Sequence, residues 1–343
     1  MSSYLIYKII FIYQKFWFFI IIILGTLIVI SSNSWLNAWL GLEINLISFI
    51  RFIIKKNSFS SESAILYFIF QCFASIIFLF SIIIIIFSNF LFLILNNNIF
   101  IIIISIALLI KIGRAPFHFW IPIVIENLNW LNNRLLITWQ KIAPIILIFY
   151  VFKIKLLITF IILCLICRSI GGLNQTSIRK LMAFSSINQI SWLLIRLIIN
   201  EIIWLIYFII YFIIIIRLTK IFNNLNLYYL NQFFSLNLKF FSIKISIFLN
   251  ILSLRGLPPF LGFWPKFIII KEILILNINY IIILIIIFSL LILFFYLRII
   301  YSSIIFNSVI NKNINFYYFN NKNLIFLTFL NHYFLIFIIL FYF

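Results

Sequence analysis

Three lysines and one glutamate stand where an apolar chain should carry no charge. Lys111, Lys141 and Lys266 lie within or at the edge of long runs of isoleucine, leucine and phenylalanine, and Glu43 sits inside Trp39-Leu40-Gly41-Leu42-Glu43-Ile44-Asn45. The chemistry open to such a set is proton transfer. A buried amine gives up its proton more readily beside another cation and holds it beside a carboxylate. A lysine that alternates between those surroundings can take up and release a proton. The other glutamates, Glu62, Glu126, Glu201 and Glu272, fall nearer the ends of apolar runs, so Glu43 is the odd one. His118 follows Lys111 in Lys111-Ile112-Gly113-Arg114-Ala115-Pro116-Phe117-His118-Phe119-Trp120 and is a candidate relay; a histidine merely packed into the turn is the equal alternative. A structural ion pair would account for any one of the lysines. It accounts poorly for three lysines and a mid-run glutamate together.

The composition excludes most other chemistries. The chain has 343 residues, 66% of them hydrophobic and 9% charged, against about 25% charged in soluble domains. Apolar runs of roughly 20 residues recur along its length, the mark of a polytopic membrane protein. The formal charge of +20 comes from 25 Lys and Arg against 5 acids, all glutamate. These bases are scattered rather than clustered on one face, so nucleic acid is not an expected partner. Cys164 and Cys167 have C-x-x-C spacing but lie in an apolar run without a second pair, which reads as buried thiols. Gly171-Gly172 lacks the spacing of a phosphate cradle. No site for NADH, flavin, an iron–sulfur cluster or a metal is expected in this chain. The N-terminal apolar run reads as a first span rather than a cleaved presequence.

The elements that must position these residues are all helices. The pattern predicts an all-α polytopic fold of about eleven transmembrane helices. Two helices are expected to be broken. The fourth, about 99–126, carries Lys111, Gly113 and Pro116; the ninth, about 243–276, carries Gly256, Pro258, Pro259 and Lys266. A proline lacks the N–H and clashes with the carbonyl four residues back, so each helix should stop beside its lysine. The carbonyls freed there are expected to hold water. The fifth span, Leu131 to Phe152, is expected as one helix carrying Lys141 and Pro144. Gly113, Pro116 and Phe117 recur as Gly256, Pro259 and Phe260, all displaced by the same interval. The chain therefore reads as two five-helix repeats, 1–152 and 153–303, with a loop and a last helix over 304–343. Paired broken segments in corresponding halves are a pointer to a transporter's site.

These segments also carry a resemblance. Gly41-Leu42-Glu43-Ile44-Asn45, the run from Lys111 to Trp120, Thr138-Trp139-Gln140-Lys141-Ile142-Ala143-Pro144, Gly171-Gly172-Leu173-Asn174-Gln175-Thr176, Arg179-Lys180-Leu181-Met182-Ala183-Phe184-Ser185-Ser186, Gly256-Leu257-Pro258-Pro259-Phe260 with Pro265-Lys266, and Tyr296-Leu297-Arg298 resemble the NADH–ubiquinone oxidoreductase chain 2 family, antiporter-like membrane subunits of respiratory complex I. The resemblance implies eleven helices in two inverted five-helix repeats. It implies proton translocation, with Glu43, Lys111, Lys141 and Lys266 as the axial charges. It places the NADH, FMN, iron–sulfur and ubiquinone chemistry in other subunits. It implies an organelle-encoded, multi-pass protein of the mitochondrial inner membrane. Expected partners are antiporter-like and small membrane subunits, accessory subunits, and phospholipids with cardiolipin among the candidates. A membrane subunit of a cation/proton antiporter is the second reading.

The chain departs from that family at particular residues. Gln189 stands where many relatives have histidine. Arg179 and Arg298 match family arginines, whereas Arg51, Arg114, Arg134, Arg168, Arg196, Arg217 and Arg255 do not. Methionine occurs only twice, at Met1 and Met182, amid a great excess of isoleucine. An organelle code that reads AGA as serine and ATA as methionine would produce this skew if the gene were translated otherwise. Serine at all seven positions would lower the formal charge from +20 to +13 (20 − 7). Real arginines lining the polar axis are the alternative.

Overall fold

The computed structural model describes residues 2–54, 58–90, 97–151, 154–199, 201–234, 241–258, 260–275 and 279–305. The described chain is helical throughout, apart from an isolated bridge between Ser177 and Tyr229. It divides into two compact units, Met1–Lys153 and Ile154–Phe343.

The first unit holds α1 (Ser2–Ser31), α2 (Trp35–Ile53), α3 (Ser58–Phe90), α4 (Asn97–Ile112), α5 (Trp120–Asn127), α6 (Trp130–Ile137), a 3-10 turn (Trp139–Lys141) and α7 (Ile142–Val151). Ser34 starts α2 by accepting from the Asn37 N–H at 3.4 Å. Gly25 and Gly41 let α1 and α2 meet backbone to backbone: a Cβ on either would lie 3.1 Å from the carbonyl oxygen of the other. Small residues at such crossings are how helices associate in lipid. α3 packs on α2, α4 and α5, and α4 packs on α7. The face α3 turns outward is apolar, with Ile65, Phe73, Ile76 and Phe80 exposed, whereas Ser63, Gln71 and Ser81 are buried. That polarity suits a lipid environment.

The second unit holds α8 (Ile154–Gly171), α9 (Ile178–Ile199), α10 (Glu201–Asn224), α11 (Leu230–Phe234), α12 (Phe241–Arg255), α13 (Phe263–Ile275) and α14 (Asn279–Ile305). α9 packs on α8, α10 and α13, and α14 packs on α8, α12 and α13.

Six helical segments among the described residues are long and apolar enough to cross a membrane: Tyr13–Ser31, Trp35–Ile53, Ser58–Ser88, Trp130–Val151, Trp204–Asn224 and Ile282–Tyr301. The last expected helix, Leu324 to Phe343, lies outside the described residues, as does Pro259.

Two helices end beside a lysine or its acceptors, and both end the same way. Gly113 and Gly256 take φ of +70° and +74°, a conformation that a Cβ disfavours. Gly113 N and Arg114 N both donate to Leu109 O, at 2.9 and 3.1 Å. Gly256 N and Leu257 N both donate to Leu252 O, at 3.1 and 3.5 Å. Left-handed glycine caps of this kind close a helix by satisfying its last carbonyls.

The fifth span differs from the single helix expected. It is interrupted at Thr138, and the 3-10 turn Trp139–Lys141 follows. Pro144 is the physical reason. Its ring opposes the carbonyl four residues back, at Gln140, and it offers no N–H to that carbonyl. The backbone tightens locally instead of running on as α-helix, an adjustment that membrane helices tolerate.

Candidate proton-transfer site

In the first unit, Lys111 occupies the last turn of α4 and is 6% exposed. Its Nζ lies 5.9 Å from the centre of the Phe78 ring and makes no hydrogen bond among the described residues. The Lys111 carbonyl accepts from Gln71 Nε2 of α3 at 3.0 Å. Lys141, 3% exposed, closes the 3-10 turn. Both lysines line one cavity of about 20 Å3, shared with Asn45, Tyr67, Gln71 and Gln140. One water needs about 10–15 Å3 on this scale, with two or more polar partners, so the cavity is water-sized and suitably lined. Gln140 Nε2 donates to Asn45 Oδ1 at 3.0 Å, which ties the 3-10 turn to α2.

Glu43 is half-buried on α2. It is not among the cavity's walls, yet it lies within Coulombic range of Lys111, Tyr67 and Cys72. Its Oε1 is buried and accepts no hydrogen bond. His118 lies in the segment between α4 and α5, with Nδ1 3.3 Å from Pro116 O and its ring 4.4 Å from that of Phe119. It does not line the cavity. The first unit thus brings Lys111 and Lys141 to one cavity, with Glu43 in Coulombic reach of Lys111, and leaves His118 to one side.

In the second unit, Lys266 sits in the first turn of α13 and is 7% exposed. Its Nζ donates to Leu254 O at 3.1 Å and to Arg255 O at 2.6 Å, and lies 5.5 Å from the Trp192 ring. Lys266 therefore caps the C-terminus of the broken helix α12, where a cation is favoured. Gln189 Nε2 donates to the same Leu254 O at 2.7 Å, and Tyr207 Oη donates to Gln189 Oε1. A second cavity of about 10 Å3 is lined by Gln189, Tyr207, Tyr211, Ser253 and Lys266.

The carbonyls of Lys111, Leu254 and Arg255 accept from the side chains of Gln71, Gln189 and Lys266. Gln71, Tyr207 and Gln140 are partners that the motifs alone do not single out. Each is a polar group in an apolar helix, a signal that was present; what the chain order hides is the partner, 40 residues away for Gln71 and 95 for Gln140.

A family model described as "NADH:quinone oxidoreductase/Mrp antiporter, TM" matches residues 32–293. The chain is 47% identical over 307 residues to "NADH-ubiquinone oxidoreductase chain 2" of Anopheles gambiae, covering 89% of this chain and 90% of that one. It is 49% identical over 314 residues to the protein of the same name in Aedes aegypti, covering 90% and 92%. The chain belongs to the NADH–ubiquinone oxidoreductase chain 2 family. Among solved structures, its fold is similar to a chain of "Respiratory complex I from Thermus thermophilus with bound Aureothin", with a TM-score of 0.79 at 18% identity over 94% of this chain and 78% of that one. That likeness is one of fold; the family rests on the sequence relatives.

Proposed function

We propose that the chain is a proton-translocating subunit of the membrane arm of mitochondrial respiratory complex I, the H+-translocating NADH:ubiquinone reductase. The carrying observation is the water-sized cavity that Lys111 and Lys141 share within range of Glu43. In this reading, protonated Lys111 gives a proton to water in the cavity, and the water passes one to the neutral amine of Lys141. Glu43 favours the charged form of Lys111 before the transfer. Lys266 takes the same part in the second unit, beside its own cavity, and His118 serves as a relay outside the first. Electron transfer from NADH to ubiquinone takes place in other subunits, and this chain binds no cofactor.

The same reading supplies the setting. The protein is organelle-encoded and multi-pass in the mitochondrial inner membrane, with eleven helices in two inverted repeats. It sits among antiporter-like and small membrane subunits, with accessory subunits and phospholipid around it. The names of the relatives support membership of the complex, and thereby other membrane subunits as partners. The alternative, a subunit of a cation/proton antiporter, draws on the other half of the family description. Co-purification separates the two: complex I brings flavin and iron–sulfur subunits with it.

The test is proton pumping by the assembled complex in vesicles. Lys111→Ala and Glu43→Gln are each expected to lower the protons moved per electron. An unchanged ratio in both variants, with assembly intact, would overturn the assignment.

A further inference from the structure

The second unit buries cations that the proton site does not use. Arg168, Arg196 and Arg255 are 2%, 1% and 7% exposed. Among the described residues, Arg168 Nη2 donates to Tyr296 Oη at 3.0 Å, but its Nε and Nη1 have no hydrogen-bond partner. Arg255 stacks over the Tyr296 ring at 3.7 Å, with no hydrogen-bond partner among the described residues for Nε and Nη2. Arg196 donates to Pro265 O from one nitrogen, and its Nε and Nη1 have no hydrogen-bond partner among the described residues. Arg168 and Arg255 both act electrostatically on Lys266, so three like charges crowd one interior. Glu272 lies within range of Arg196. Among the described residues, tyrosines and other cations, not carboxylates, are the groups that act on Arg168, Arg255 and Lys266. A guanidinium cannot escape by losing its proton, and a buried charge with donors unmet is strongly disfavoured. In the first unit, Arg114 is fully buried, directly after Gly113. The two arginines that fall in the motifs carrying the family resemblance differ in burial: Arg298 is exposed, and Arg179 is half-buried over the Tyr228 ring at 4.7 Å.

We infer that positions 114, 168, 196 and 255 carry serine in the mature chain, their AGA codons being read as serine by an invertebrate-type mitochondrial code. The inference rests on the organelle encoding proposed above, and the mosquito relatives fit it. Serine meets the same sites at no electrostatic cost. A helical serine satisfies its hydroxyl on a carbonyl one turn back, and the buried serines beside these positions do so: Ser169 on Ile166 O at 2.8 Å, Ser191 on Asn188 O at 2.6 Å, Ser253 on Asn250 O at 2.7 Å. Positions 168, 196 and 255 lie on α8, α9 and α12, where such carbonyls are at hand. The scarcity of methionine follows from the same code reading ATA as methionine rather than isoleucine. For the proton site the consequence is direct. Lys266 becomes the one amine facing Gln189, Tyr207, Tyr211 and Ser253, with a neutral hydroxyl at 255 beside its backbone acceptors. Its charge is then set by those neutral groups and not by two fixed guanidinium neighbours.

Peptide mass spectrometry of the subunit purified from its native membrane tests this, using a protease that does not require arginine. Serine masses are expected at all four positions, with arginine masses at 179 and 298. Arginine at any of the four overturns the inference, and serine at 179 or 298 overturns the structural distinction behind it. Because the readout is a mass, it is independent of whether Lys111→Ala lowers pumping; a wrong complex I assignment would show in co-purification instead.

Discussion

Lys266 finds its acceptors in the backbone, and Gln189 shares one of them. Leu254 O accepts from both Lys266 Nζ and Gln189 Nε2, so each donor limits where the other can sit. This gives Gln189 a structural use, and a histidine ring N–H at this position can supply the same bond. Gln189→Leu removes that donor and also the acceptor of the buried Tyr207 hydroxyl, while the lysine still meets the carbonyl. It is expected to cost about 1–3 kcal/mol of stability, read as earlier thermal inactivation of the assembled complex, and Gln189→His, whose ring can both donate and accept, should restore most of it. A histidine variant as damaging as the leucine variant would refute the shared-acceptor account. Gln71→Leu is a comparable change. It leaves the buried Lys111 carbonyl without its donor, a loss of about 1–3 kcal/mol. Lower abundance of the assembled complex on native gels checks it.

The lysines are placed by where helices stop. Gly256 shows how tight that arrangement is: a Cβ there would lie 2.8 Å from Gly262 O and 2.7 Å from Lys266 Cδ, on backbone with φ of +74°. Gly256→Ala therefore combines left-handed strain of about 1–2 kcal/mol with displacement of the lysine. It is expected to lower proton-coupled turnover more than it lowers assembly, measured as protons per electron in vesicles against the amount of intact complex. The glycine and proline of each break were legible in the chain because glycine tolerates φ > 0 and proline removes a donor. The interruption before Lys141 was not. Pro144 stands in an apolar run that reads as continuous, and whether a proline kinks, breaks or merely tightens a membrane helix depends on who satisfies the freed carbonyl. The cavity was equally hidden. The apolar runs mark Lys111 and Lys141 as buried, but the packing of α3 and α4, and of α4 and α7, is what puts them on one wall. Glu43 and His118 look alike as mid-run polar residues, and only the fold separates one within range of Lys111 from one bonded to Pro116 O.

At the scale of the whole molecule, each unit carries, among the described residues, two buried lysines, a glycine-capped helix end and a small cavity lined by at least one of those lysines. Neither cavity exceeds about 20 Å3, room for a water or so rather than a channel. A proton served by such short steps must use several in turn. If the steps of both units belong to one route, blocking either interrupts the whole. Effects of residues that act as a unit are then strongly non-additive, whereas independent sites add. Lys111→Ala with Lys266→Ala is therefore expected to pump no worse than the more damaging single variant. Protons per electron in vesicles, compared across the two singles and the double, decide it. A double variant whose loss equals the sum of the single losses would mean that the two units move protons separately.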